Sequence, residues 1–226
     1  MNDAAAVVDR LDAMAARLWN AIESLAANVQ GDLESGSLRR TDLRIEGRCR
    51  GLIDDPESIV AGAGFVAAPG VLRDAEYWLE WWTSDGLPGT SRRLAAETDP
   101  AAVGFRDYTE LPWYVAPLAS GRRHVTGPYI DYLCTDQHTL TLTMPIEVAG
   151  GFGGVVGADV LAARVEREIH DVLDAAGGAV VVNGAGRVVA SADPEWIAGD
   201  LVRDVRSAVW RTFAVTGLPM QVLIRV

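Results

Sequence analysis

The chain has 226 residues, of which 49% are hydrophobic and 23% are charged, a composition typical of a folded globular protein. Its 31 acidic and 20 basic residues give a net charge of −11, which would repel a phosphate backbone, so we do not expect it to bind nucleic acid. No apolar run reaches the length of about 18 residues that a spanning helix needs, so no membrane span is predicted.

The first residues and the cysteines bear on the compartment. The opening MNDAAAVVDRLDAMAARLW has acidic rather than basic residues at its start and lacks the apolar core of a signal peptide. Cys49 and Cys134 have neither zinc-ligand spacing nor the spacing of a redox pair. We therefore predict a cytoplasmic protein with reduced, partly buried thiols, and neither a metal nor a cofactor.

The predicted elements begin with a long amphipathic helix over residues 3–29. Its apolar residues recur at a spacing of three and four, which is typical of a helix with one buried face. A helix of about 27 residues reaches about 40 Å, longer than a domain of this size requires. Two interpretations stay open: the helix packs along its own domain, or it forms a homodimer through an apolar stripe that includes Val7, Leu11 and Leu18.

Short helices are predicted in the first half of the chain. Residues 43–60 are mixed helical, and Pro56 is expected to begin a helical turn after an acidic cap. A short helix is predicted at residues 91–97, inside a loop. Thr109 is the predicted N-cap of a helix that has Pro112 in its first turn and continues to about residue 119.

A strand rich in tryptophan follows a first apolar strand at residues 62–70. It has the sequence EYWLEWWTSD, and alternation puts Trp78 and Trp82 on one face and Trp81 on the other. Two interpretations stay open for these faces, since each is either part of the core or the wall of a pocket.

Antiparallel strands are predicted for most of the second half, at residues 123–133, 139–146 and 152–159. A helix at residues 161–173 follows, and then a hairpin at residues 179–191 with Asn183-Gly184 at its turn. A short helical turn at residues 195–197, a helix from Asp200 to about residue 213, and a strand at residues 221–226 complete the prediction.

Three motifs follow one another within residues 111–159: PWY on a helix, GPY-x-D, and GG-x-x-GV-x-G-x-D before a further helix. This order, after a long N-terminal helix, resembles the double form of the Cache family of extracytoplasmic sensor domains. The resemblance covers nearly the whole chain. It implies an α+β fold with a long N-terminal helix (residues 1–36) on a PAS-like antiparallel sheet (residues 37–176), and a truncated second αβ module (residues 177–226).

The resemblance also implies a set of ligand-binding residues. In amino-acid-sensing members of the family, an arginine two positions before the tryptophan grips the ligand carboxylate, and aromatic and acidic residues hold the amino group. Leu111 occupies the arginine position here, and leucine cannot form a bidentate clamp. The chain therefore resembles the amine-sensing branch. The positions that match the family are Trp113, Tyr114, Tyr129, Asp131 and Asp159. Separately, the tryptophan-rich strand is expected to place Trp78 or Trp82 as a further wall of the pocket.

The chemistry of these residues agrees with a cationic ligand. An aromatic ring attracts an ammonium group by about 0.5–2 kcal/mol, and a nearby carboxylate adds a charge-assisted hydrogen bond. In the alternative structural interpretation, Asp131 and Asp159 cap turns and Trp113 fills the core.

The predicted function is a small-molecule sensor or binding domain for a polyamine, biogenic amine or quaternary amine, signalling through a partner such as a regulator or transporter protein. An amino-acid-binding Cache sensor is one alternative. A small enzyme using Asp131 and Asp159 as acid and base is a second, although no nucleophile motif, phosphate loop or cofactor fingerprint is found. A dimeric scaffold with a vestigial pocket is a third.

Overall fold

The computed structural model describes residues 3–34, 39–84, 89–131, 136–149, 151–207 and 209–226. The helices are α1 (Asp3–Glu34), α2 (Glu46–Asp54), α3 (Pro112–Ser120) and α4 (Ala162–Ala175). The strands are β1 (Val60–Ala67), β2 (Leu79–Thr83), β3 (Arg92–Arg93), β4 (His124–Ile130), β5 (His138–Val148), β6 (Gly151–Leu161), β7 (Val180–Asn183), β8 (Val188–Ser191), β9 (Trp210–Ala214) and β10 (Met220–Arg225). The predicted α+β fold, with a long N-terminal helix and antiparallel sheets, is confirmed.

The N-terminal helix α1 continues five residues beyond the predicted end, to Glu34. The apolar stripe that suggested a homodimer is buried within the single chain: Val7, Leu11 and Leu18 all belong to its core. The stripe is therefore not available as a dimer interface, because its own chain already covers it. Within the described ranges, no helix combines the length and the apolarity needed to cross a membrane.

A sheet of six strands has the order β3-β2-β1-β6-β5-β4. Strands β1 and β2 are antiparallel, with Gly64 opposite Trp81, and the short β3 pairs antiparallel with the outer edge of β2. Every residue of β1 is buried, as expected for an apolar strand inside a sheet. The central position of β6, between β1 and β5, places its side chains in the middle of this sheet.

A second sheet has the order β8-β7-β10-β9, and its pairs are antiparallel. The predicted hairpin is confirmed as β7 and β8. Asn183 closes its turn, because its side-chain oxygen accepts hydrogen bonds from the backbone N–H groups of Ala185 and Arg187, both at 2.9 Å. Buried aliphatic residues form the core of this sheet: Val180, Val182, Val188, Val202 and Leu223.

The chain divides into two compact units. One consists of Met1–Trp19, Gly127–Leu140 and Val160–Val226, and the other of Asn20–Thr126 and Thr141–Asp159. This division differs from the linear one predicted from the sequence. In the first unit, the start of α1 is bonded to residues near the C-terminus: Asp12 Oδ1 accepts from the N–H groups of Thr216 and Gly217, both at 2.8 Å.

Two predicted helix starts are wrong. Helix α2 ends at Asp54 with Asp55 as its C-cap, so Pro56 follows a helix, where proline is common, and does not begin one. Thr109 does not cap α3, whose N-cap is Leu111. The Thr109 N–H instead donates to the side chain of Asp107, which caps a short 3-10 turn. Pro112 does occupy the first turn of α3, as predicted.

Three predicted helical segments are also wrong. Residues 91–97 contain the edge strand β3, which pairs with β2. Residues 195–197 form turns without a helix, and β9 replaces the end of the helix predicted from Asp200. In both strands, hydrogen bonds to a neighbouring strand outweigh the local preference for a helix. The end of the predicted strand 123–133 and the turn at Cys134 lie outside the described residues.

Candidate functional site

A buried carboxylate, that of Asp159, lies on the central strand β6 and is only 4% exposed. Its Oδ2 accepts a hydrogen bond from the indole Nε1 of Trp81 on β2 at 2.9 Å. Its Oδ1 accepts one from the hydroxyl of Thr141 on β5 at 2.6 Å. Donors from two different strands therefore hold the two oxygens of one carboxylate.

Two glycines of β1 make room for the Trp81 ring. A Cβ atom at Gly62 would lie 2.8 Å from Trp81 Nε1 and 3.1 Å from Asp159 Oδ2. A Cβ atom at Gly64 would lie 2.7 Å from Trp81 Cε3 and 2.2 Å from the backbone oxygen of Glu80. Real Cβ atoms essentially never lie within 3.0 Å of another heavy atom, so glycine at these two positions lets the indole reach Asp159 without a shift of the ring or the backbone.

Alternate threonines of β5 connect this carboxylate with α3. Thr141 and Thr143 are two residues apart on one strand, so their side chains share a face. Thr141 binds Asp159, and the Thr143 hydroxyl donates to the backbone oxygen of Trp113 at 2.8 Å. The start of α3 and the Asp159 carboxylate therefore lie on the same face of the sheet.

The two predicted aromatic residues on α3 differ in burial: Tyr114 is buried, and Trp113 is partly accessible. Tyr114 is 2% exposed, and its ring centroid lies 5.5 Å from that of Tyr108 and 5.4 Å from that of Phe152. Burial raises the pKa of the Tyr114 phenol above its usual range. Trp113 is half-buried, and its ring meets Tyr114 edge-on at 6.3 Å. Tyr114 is therefore a core residue, while part of the Trp113 side chain is accessible.

Tyr108 continues this aromatic core and fixes the backbone near β1. Its buried hydroxyl accepts from the N–H of Trp78 at 3.1 Å and donates to the oxygen of Ala67 at 2.8 Å. Burial raises the pKa of the Tyr108 phenol to about 12, so it remains a hydrogen-bond donor at neutral pH.

Tyr129 and Asp131 belong to the other compact unit. Tyr129 is half-buried on β4, which ends at Ile130. Asp131 therefore lies just beyond the strand; it is buried, and its N–H donates to the oxygen of Gln137 at 3.2 Å. Their role in ligand binding rests on the family resemblance and stays a prediction.

Trp82 on β2 and Trp78, which immediately precedes this strand, lie on the face opposite Trp81, as alternation predicts. The guanidinium groups of Arg93 and Arg40 lie 4.6 Å and 5.0 Å from the Trp78 ring centroid, and that of Arg50 lies 5.7 Å from the Trp82 centroid. The chain's own arginines therefore cover these two rings. These contacts favour Trp81, rather than Trp78 or Trp82, as the tryptophan next to Asp159.

Glu80 shares that arginine-covered face and is 8% exposed. Burial raises the pKa of its carboxyl above the ordinary value of 4.5, while the positive charge of Arg93 opposes the rise. The indole N–H groups of Trp78 and Trp82 are buried and have no hydrogen-bond partner among the described residues. Nearby, burial and then the charge of Glu80 raise the pKa of the Cys49 thiol to about 12, so this free cysteine is an unreactive core residue.

We expect Glu80→Gln to stabilise the protein in neutral buffer. Because the folded-state pKa of Glu80 is raised, the folded chain binds the proton more tightly than the unfolded chain. Wild-type stability should therefore fall as the pH rises from 4.5 through the folded-state pKa, and the variant should escape this loss. Urea unfolding of both proteins across this range measures the difference, with the exposed Glu57→Gln as control. A constant difference at all pH values would contradict the prediction.

The motif comparison missed Trp81, Thr141 and the two glycines of β1. Residues 139–143 have the sequence TLTLT, and this alternation puts three threonines on one face of an otherwise apolar strand. All three are buried. Buried hydroxyl groups require hydrogen-bond partners, so this pattern predicts a polar partner on a neighbouring strand.

Residues 92–166 match the family model described as methyl-accepting chemotaxis protein-like, first PDC sensor domain. The chain has the fold of chemoreceptor sensory domains. The ligand-binding domain of the Pseudomonas aeruginosa PAO1 amino acid chemoreceptor PctC, in complex with GABA, matches with a TM-score of 0.61 at 17% identity, over 99% of this chain and 96% of that one.

Two further chemoreceptor domains share the fold. The ligand-binding domain of Pseudomonas fluorescens CtaA, in complex with L-valine, has a TM-score of 0.62 at 17% identity and covers 99% of this chain and 94% of its own. The periplasmic sensory domain of Campylobacter jejuni Tlp1 has a TM-score of 0.67 at 10% identity, with coverages of 96% and 90%. The resemblance to Cache-type sensor domains is confirmed as a resemblance of fold. The assignment to the amine-sensing branch stays a prediction.

The predicted cytoplasmic location is wrong. The Tlp1 domain, which shares this fold, is periplasmic, and the matched family model is that of a chemotaxis-protein sensor domain, so the similar proteins contradict a cytoplasmic assignment. The prediction rested on the first residues and on the thiols. A buried thiol such as Cys49 is compatible with either side of a membrane, so it could not decide the compartment.

Proposed function

We propose that this chain is the ligand-binding domain of a sensor that recognises a small ammonium-bearing molecule and signals through a partner protein. The supporting observation is the Asp159 carboxylate, which is buried and held by Trp81 and Thr141 on the face of the sheet where α3 begins. Polyamines, biogenic amines and quaternary amines carry the charge that such a group attracts.

The energies of the contacts favour a cation with N–H donors. A charge-assisted hydrogen bond to a carboxylate contributes about 1.5–3 kcal/mol, and one aromatic wall such as Trp113 contributes about 0.5–2 kcal/mol. A few such contacts with some apolar burial reach about −8 kcal/mol, which corresponds to micromolar affinity.

An amino-acid ligand is the second candidate. PctC, in complex with GABA, and CtaA, in complex with L-valine, have this fold, and both of those ligands pair an ammonium with a carboxylate. Leu111 argues against an amino-acid ligand, because the side chain of this half-buried residue at the N-cap of α3 has no hydrogen-bond donor for a carboxylate. An ammonium site without a carboxylate clamp therefore favours an amine.

A ligand screen tests the proposal. Putrescine, choline, GABA and L-valine would be added to the protein, with thermal unfolding and calorimetry as readouts and NMR to follow the ligand itself. At a concentration of about 100 Kd, a ligand should stabilise the fold by about 2.7 kcal/mol. Stabilisation by an amine that remains unchanged supports the proposal.

Each other result points to one of the alternatives. Stabilisation by L-valine or GABA alone would favour an amino-acid sensor. Chemical conversion of the amine would favour an enzyme. No stabilisation by any of the four compounds would favour a scaffold.

Leu111→Arg should move the preference towards amino acids. An arginine at this position can form the bidentate pair with a carboxylate, so the affinity for L-valine should rise about 10-fold or more. Calorimetry with L-valine and putrescine measures the change. Leu118→Arg is the matched control, because it adds the same charge to the same helix at a position that is 48% exposed. Equal gains in both variants would mean that charge alone, and not the position of residue 111, is responsible.

A further inference from the structure

We propose that Trp81 and Thr141 are positioning residues that hold the Asp159 carboxylate in one orientation and keep it ready to bind a cation. This inference rests on the proposed function. It adds two residues that the motif pattern did not identify, and it assigns them a role in the strength and the charge selectivity of binding.

The first step is geometric. Trp81 and Thr141 bind different oxygens of Asp159, at 2.9 Å and 2.6 Å, and they come from strands on either side of β6 in the sheet order. Rotation of the carboxylate would break both bonds. A carboxyl group fixed in this way does not lose rotational freedom when it binds a ligand, so its bond to an ammonium is stronger.

The second step is electrostatic. The indole N–H and the hydroxyl are both neutral donors, so they stabilise the ionised carboxylate without adding a positive charge to it. An arginine or lysine in either place would also stabilise the carboxylate, but it would compete with a cationic ligand. Neutral donors are therefore the partners that a buried cation-binding carboxylate requires.

The third step concerns rigidity. Trp81 is 5% exposed and crosses β1 over Gly62 and Gly64, where any side chain would collide with its ring. The indole therefore has little freedom to move away from Asp159. Such support from residues behind the binding group is what keeps a site in its productive geometry.

The test compares variants that remove or retain one hydrogen bond. Thr141→Val removes the hydroxyl at nearly constant volume, and Thr141→Ser keeps it. Trp81→Phe removes the indole N–H, and Trp82→Phe is its control on the opposite face of β2. We expect Thr141→Val and Trp81→Phe to raise the Kd for putrescine about 10-fold each, while Thr141→Ser and Trp82→Phe stay within about twofold of wild type.

A second readout does not depend on the ligand. The indole N–H signals of the seven tryptophans can be followed by NMR, with Trp81→Phe identifying the signal of Trp81. That signal should move in Asp159→Asn and in Thr141→Val, and it should remain in place in Thr141→Ser. This result would support the positioning role even if putrescine did not bind, in which case only the proposed function would fail.

Two outcomes would overturn the inference. One is a Trp81 signal that does not change in Asp159→Asn. The other is equal loss of putrescine binding in Thr141→Val and Thr141→Ser, since a merely structural role would not distinguish the two.

Discussion

Asp159→Asn should lower the affinity for putrescine about 10- to 150-fold. The substitution keeps the shape of the side chain but removes the charge, so the ammonium loses a charge-assisted bond of about 1.5–3 kcal/mol. Trp113→Ala should have a smaller effect, about 2- to 30-fold, because one aromatic wall contributes about 0.5–2 kcal/mol. Calorimetry with both variants measures the two losses.

A ligand without N–H groups should reverse the relative size of the losses in Asp159→Asn and Trp113→Ala. A quaternary amine such as choline has no N–H to donate, so for it the loss of Trp113 should exceed the loss of Asp159. Asp9→Asn, an exposed position on α1, is the control for the change in net charge. Unchanged putrescine binding in Asp159→Asn would remove Asp159 from the site.

Gly64→Ala should have the largest effect on stability. The new Cβ atom would lie 2.2 Å from the backbone oxygen of Glu80 and 2.8 Å from the Cα of Trp81, so the pairing of β1 with β2 would have to shift. Overpacking of this kind costs about 1–3 kcal/mol, and contact with backbone atoms favours the upper end. Because the Trp81 ring lies over this glycine, putrescine binding should weaken as well.

Urea unfolding measures the loss, and Gly51→Ala is the matched control. Gly51 lies inside α2 and a Cβ atom there would meet nothing within 4 Å. Alanine is favoured over glycine in a helix by about 0.5–1 kcal/mol, so the control should gain stability. A Gly64→Ala protein as stable as the wild type would mean that the two strands can separate without cost.

The sensor-type fold could be predicted from the sequence because the motifs of the family are local. PWY, GPY-x-D and the glycine-rich segment that ends at Asp159 are each short, and their order along the chain is visible without the fold. Of the residues carried over, Asp159 and Trp113 lie on one face of the sheet, and Tyr114 lies in the core behind. The partners that hold Asp159 could not be predicted in this way.

Periodicity by itself determined a good part of the fold. The spacing of three and four in α1 identified the buried stripe, and alternation assigned Trp81 and Trp82 to opposite faces of β2. The hairpin of β7 and β8 could be predicted because Asn-Gly, at positions 183 and 184, is typical of a tight hairpin turn. In each case the information lies within a few neighbouring residues, which is the range over which backbone geometry repeats.

Tertiary structure alone decided which face carries the candidate site and which distant residues lie next to Asp159 there. Trp81 and Asp159 are 78 residues apart in sequence, and β1 lies between their strands in the sheet. The indole reaches across β1 because positions 62 and 64 of that strand are glycine. Likewise, residues 210–214 form β9 because β10 offers backbone partners, whatever their local preference. Strand pairing brings together residues far apart in the chain, so neither result follows from a local pattern.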